Sequence, residues 1–158
     1  MIKRSIIFIL LINITQYDSI IKSNKDRELL NKIKMENRDE KILIIKKKLV
    51  IGKKYNIFEG KLFLKYIIIG EWIIPPNENI KFFNDNKFKK QDMTTNYFEE
   101  GYWKLENNNL VLIRNNKKIS YQIDYFILEK SDFSSSKYSF TIVFKNNTEM
   151  PILVFLFD

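Results

Sequence analysis

Between Gly101 and Phe126 the chain reads GYWKLENNNLVLIRNNKKISYQIDYF, three strand-like runs joined by Asn-rich turns at 107–109 and 115–116. Asn tolerates positive φ and hydrogen-bonds within its own turn, so links of this kind join antiparallel neighbours. Nothing between the runs could hold a crossover helix, which argues against a parallel sheet. Ile119, Tyr121, Ile123, Tyr125 and Ile127 alternate with Ser120, Gln122 and Asp124. Tyr138, Phe140, Ile142 and Phe144 alternate in the same way. A period of two marks a sheet with one covered face.

The same reading extends over everything after Tyr55, with strands expected at 61–69, 71–74, 80–83, 97–105, 110–114, 119–128, 138–145 and 152–157. The last of these, ILVFLF, is apolar on both faces. It should close a sheet or be covered on both sides, because such a strand left as an open edge would aggregate. At 158 residues the chain holds one domain's worth of material. Its 13 Phe and 8 Tyr, with no Ala, suit a pleated surface better than a helical bundle. The expected fold is mainly β, an antiparallel meander closing into a small barrel or sandwich, with a short N-terminal helix. Trp72, Trp103, Leu105, Ile123, Phe140 and Ile142 should face inward.

Ahead of the β region lie two segments. Met1-Ile2-Lys3-Arg4 followed by SIIFILLINI at 5–14 has the basic start and apolar length of a signal peptide, assigned here to residues 1–20. The apolar run is shorter than the roughly 20 residues a helix needs to cross a bilayer. Export to the periplasm or cell surface is therefore expected, with a cytoplasmic location as the alternative; the apolar run would otherwise be a buried N-terminal strand or an uncleaved interfacial anchor. Residues 21–54 form a basic lead-in: a helix capped by Ser23 or Asn24 and ending near Glu36, then a run at 41–51 that fits helix or strand. Residues 55–158 make up the β domain.

Charge is concentrated in the lead-in. Residues 22–69 carry a net charge of +8, and residues 70–158 carry −1. Lys46, Lys47, Lys48, Lys53 and Lys54 form the main cluster, a candidate site for a polyanion such as an anionic lipid surface, an acidic polymer or nucleic acid. Like charges so close contribute nothing obvious to folding, so this cluster should be removable. AT-rich codon usage would also enrich Lys, and a solvated charged face is the plain alternative. Nucleic acid is the least favoured of these partners, because Arg is scarce (4 against 23 Lys) and Arg supplies bidentate and stacking contacts.

Catalytic chemistry has little to work with. There is no His and no Cys, which removes the usual proton carrier, thiolate nucleophiles, disulfides and most metal-ligand sets. The acidic doublet Glu99-Glu100 lies in a strand, where neighbours point to opposite faces and cannot flank one bond. No Gly-rich phosphate loop is present. The chain reads as a non-enzyme without metal or cofactor.

Gly70-Glu71-Trp72, a Phe-rich segment at 80–88, and Gly101-Tyr102-Trp103-Lys104-Leu105 follow one another in the order that resembles small exported lipocalin-like domains of bacteria. The resemblance covers about residues 68–157. It implies a calycin-type barrel that binds a small apolar ligand inside, or an envelope component, with Trp72, Phe82, Trp103, Tyr121 and Phe140 as ligand-binding candidates.

Overall fold

The computed structural model describes residues 20, 24–33, 37–132 and 135–158. The expected signal segment 5–14 and the candidate cap Ser23 lie outside them. Three short helices, α1 (Asn24–Ile33), α2 (Arg38–Lys48) and α3 (Ile57–Ile67), precede most of the sheet. A two-residue strand, β1 (Lys54–Tyr55), lies between α2 and α3. The sheet continues as β2 (Gly70–Ile74), β3 (Glu78–Phe82), β4 (Lys87–Asp92), β5 (Phe98–Glu106), β6 (Asn109–Arg114), β7 (Lys117–Lys130), β8 (Tyr138–Phe144) and β9 (Ile152–Phe157).

Strands β2 to β9 form an up-and-down meander in which each strand pairs antiparallel with the next, and β9 returns to β2 to close an eight-stranded barrel. Strand β1 is an extra, paired to β7 outside the closed ring. The Asn turns behave as their chemistry requires: Asn86, Asn107, Asn115, Asn116 and Asn146 all have positive φ. The apolar β9 closes the sheet, as ILVFLF demanded, but its seam with β2 has a single register pair, Ile73 with Val154.

Four sequence expectations need correction. The segment 61–69 is not a strand but most of α3, started by a capping box in which Asn56 and Glu59 satisfy each other's backbone amides. Ile57, Gly60, Phe63, Leu64 and Ile67 are buried along one side of α3, a helical spacing that the β-branched composition concealed. Second, β4 was not anticipated, because KFKKQD presents only Phe88 to the core. Third, the alternation in β7 is broken by a register shift between Ile123 and Tyr125. Past that point Phe126 and Leu128, at 0% and 2% exposure, take the core positions in place of Tyr125 and Ile127. Fourth, the described residues hold three helices instead of one. The ambiguous run at 41–51 is largely helical, as α2, because Asn37 caps it by accepting from the amides of Asp39 and Glu40.

One hydrophobic core joins barrel and helices. Trp72, Trp103, Ile123, Phe140 and Ile142 are buried in it as expected, and Leu105 packs against it partly buried. Leu30 of α1, Ile44 and Ile45 of α2 and Phe63 and Leu64 of α3 belong to the same core. Phe63 stacks on Phe126 at 6.0 Å between ring centres and meets Phe140 edge-on at 6.3 Å, so α3 docks its apolar side against the barrel's aromatic interior.

Candidate functional site

The five aromatics expected to hold a ligand come together on the inner side of the barrel. Phe82 and Trp103 meet at 5.3 Å, and Trp72 and Phe140 at 5.7 Å. Tyr121 lies 5.8 Å from Phe144. Trp72, Phe82 and Phe140 are fully buried, each at 0% exposure. The indole N–H groups are satisfied locally, Trp72 donating to the Ile68 carbonyl at 2.6 Å and Trp103 to that of Phe83 at 3.0 Å. The interior of an eight-stranded barrel is filled by side chains or holds one small ligand, and here large aromatics belong to the buried core.

Away from the helices the inner wall becomes polar. Glu78 pairs with Lys90 at 2.8 Å and Glu99 pairs with Arg114. Burial first, and the nearby Glu149 carboxylate second, raise the Tyr121 phenol above its ordinary pKa. Glu99 and Glu100 point to opposite sides: the first meets Arg114, the second lies 3.6 Å from Lys89 of β4. Among the described residues no cluster of acidic side chains is arranged to hold a metal ion.

The five clustered lysines have different neighbours. Lys46, Lys47 and Lys48 lie in the last turn of α2, where cations complement the helix dipole. Lys46 donates to the Asp158 backbone carbonyl and sits 4.8 Å over the Tyr138 ring. Lys48 pairs with Asp26 of α1 at 2.5 Å, both side chains largely buried. Lys53 lies 4.6 Å over Tyr55 and Lys54 lies 4.4 Å over Tyr125. Lys47 is exposed. Three of the five, Lys46, Lys48 and Lys54, make contacts between separate elements, whereas the Lys53 contact with Tyr55 is local.

The sequence reading missed the outer wall. Phe98, Glu100 and Tyr102 share the outward face of β5, with Phe98 47% and Tyr102 57% exposed. Register places Lys89 opposite Glu100 and Lys87 opposite Tyr102. Lys89 also lies 4.4 Å over the Phe98 ring. Phe83, Asp85, Lys87, Lys89, Glu100 and Tyr102 surround an open depression of about 530 Å³. Alternation outward from a buried Trp103 would have marked these positions.

Among the described residues no helix is long and apolar enough to cross a membrane. No family model, no curated protein and no solved structure matches this chain.

Proposed function

We propose that this protein is an exported, non-enzymatic binding domain of lipocalin-like plan. It engages an envelope component, a glycan strand, through the outer wall of its barrel rather than holding a small apolar ligand within. The observation that carries this reading is the contrast between the two faces of β5. Trp103 is spent on the core, whereas Phe98 and Tyr102 present flat aromatic surface to solvent beside a depression rimmed by both acidic and basic side chains. An aromatic platform with hydrogen-bonding groups of both signs suits a ligand that is flat, polyhydroxylated and neither strongly apolar nor strongly charged. Exposed large aromatics clustered on one wall mark an interaction surface more often than chance does.

The test is retention of the purified protein on insoluble envelope glycan. Replacing Phe98 and Tyr102 together by Ser should weaken glycan binding by about a hundredfold or more, since two hot-spot aromatics at roughly 2 kcal/mol each amount to about 4 kcal/mol, and each ~1.4 kcal/mol is about tenfold. The thermal midpoint should stay nearly unchanged, because both side chains are surface-exposed. Equal retention by the variant would contradict the reading.

A further inference from the structure

A second pocket lies at the seam where β9 returns to β2. It encloses about 160 Å³ and is lined by Asn37, Arg38, Lys41, Ile69, Gly70, Glu71, Lys81 and Phe155. Three of the lining side chains are cationic and one is anionic, which leaves a surplus of two positive charges around a space of small-ion size. Asp39 and Glu40, the acidic residues of the first turn of α2, are not among the lining residues. Glu71, the one lining carboxylate, accepts a long 3.5 Å hydrogen bond from Asn79.

Each cation is held in place by the fold. Lys41 is 3% exposed, donates to the Ile69 carbonyl at 2.6 Å, and lies 4.4 Å over Phe155 and 4.9 Å over Trp72. Arg38 donates to the Leu156 carbonyl at 2.6 Å and lies 4.9 Å over the same Phe155 ring. Lys81 comes from β3 on the other side of β2, in register with Glu71. Gly70 has φ +112, and a Cβ there would stand 3.0 Å from the Lys41 ammonium. A side chain at this position would therefore crowd the pocket wall as well as strain the backbone. The Lys81 ammonium lies 5.1 Å from the Phe83 ring. Cations of both kinds thus line this one pocket, an Arg fork and Lys point charges, a set that suits a phosphate oxyanion.

We propose that this seam pocket binds a phosphate group, either free or as the phosphomonoester of a larger molecule. The site is separate from the outer wall of β5, and it stands whether or not that wall binds glycan. A ligand bridging Arg38 on α2, Lys41 beneath it and Lys81 on β3 would strengthen a closure that the β2–β9 ladder makes with only one register pair.

Trp72 supplies the readout, since the Lys41 ammonium lies over its indole. Replacing Trp103 by Phe leaves Trp72 as the sole tryptophan. Inorganic phosphate titrated into that folded protein should change Trp72 emission saturably, while chloride at matched ionic strength should not. The Arg38→Gln/Lys81→Gln double variant in the same background should weaken the response about tenfold or more, as loss of charged hydrogen bonds requires. Should that variant fail to fold, Lys81→Gln alone serves, because Lys81 is a partly exposed strand residue. Vesicles of phosphatidylcholine with and without phosphatidic acid form the second arm. A response to phosphatidic acid alone assigns the phosphomonoester to a lipid headgroup, and a response to inorganic phosphate assigns it to a soluble source. No response in either arm, a response that chloride reproduces, or one that survives the substitutions would overturn the proposal.

Discussion

The Lys41 ammonium lies 4.9 Å from the centre of the Trp72 indole and closes a 2.6 Å hydrogen bond to the carbonyl of Ile69, just ahead of the strand that carries Trp72. Lys41 comes from α2, so a helix of the lead-in segment is fastened to the first strand of the barrel by a buried charge. Replacing Lys41 by Met keeps most of the volume but leaves the Ile69 carbonyl without this donor and removes the cation–π contact. A loss of roughly 2 to 4 kcal/mol is expected in urea unfolding. An unchanged midpoint would mean that α2 rests on the barrel without stabilising it.

Gly60 marks a close approach between α3 and the barrel. A Cβ there would come 2.3 Å from the end of the Phe126 ring and 3.0 Å from Ile20. Gly60→Ala should therefore destabilise by about 1–3 kcal/mol despite the higher helix propensity of Ala. Adding Phe126→Leu should recover part of that loss, because the smaller side chain makes room. Additive losses in the double variant would show that the clash is not what limits the site.

Removing the lysine cluster should cost stability. Changing Lys46, Lys47, Lys48, Lys53 and Lys54 together to Gln would dissolve the Lys48–Asp26 pair and four ring contacts. A drop of roughly 1–3 kcal/mol is expected, with most of it recovered when Lys48 alone is restored, since that pair is the best shielded from solvent. Thermal unfolding of the two variants decides the matter. A five-fold variant as stable as the parent would return the cluster to a plain solvated face.

Two groups set the expected pH response. The Asp92 carboxyl is lowered to about 2 from its ordinary 3.8, chiefly by the Thr94 hydroxyl and also by the Thr94 amide. A depressed carboxyl contributes stability that is present above about pH 4 and lost as pH falls through about 2. Asp92→Asn should remove that part of the acid limb, read as a flatter midpoint-against-pH curve. Tyr121 acts in the opposite range. Its raised pKa gives stability that is complete below the unfolded phenol pKa and is lost as pH rises through the folded one. Absorbance titration of the phenols should show a late-titrating tyrosine that disappears in Tyr121→Phe.

The meander was legible because its signals are local. Asn107, Asn115, Asn116 and Asn146 take positive φ at the turns where their chemistry placed them, and the strands they join pair in sequence order. What failed was each feature set by tertiary context. The Ile-rich segment 61–69 looks like a strand until Asn56 and Glu59 cap it and the barrel interior receives Phe63 and Leu64. A single extra residue near Asp124 exchanges the faces of β7, and no periodicity count over Ile119–Ile127 reveals it. The candidate sites fared less well. The inward aromatics were identified correctly as a group, but large aromatics signal packing and binding alike. The outward pair Phe98 and Tyr102, and the cations Arg38 and Lys41 at the seam, gained meaning only when the register and the docking of α2 were known.

Binding is proposed on the outer wall of β5 and not among the aromatics inside. Amide chemical-shift mapping with soluble envelope-glycan fragments, followed by a short-chain fatty acid, tests it most directly. Glycan-induced shifts should concentrate on Lys87, Lys89, Phe98, Glu100 and Tyr102, with no saturable change from the fatty acid. Saturable fatty-acid shifts centred on Trp72, Phe82, Trp103 and Phe140, with the outer wall silent toward glycan, would contradict it.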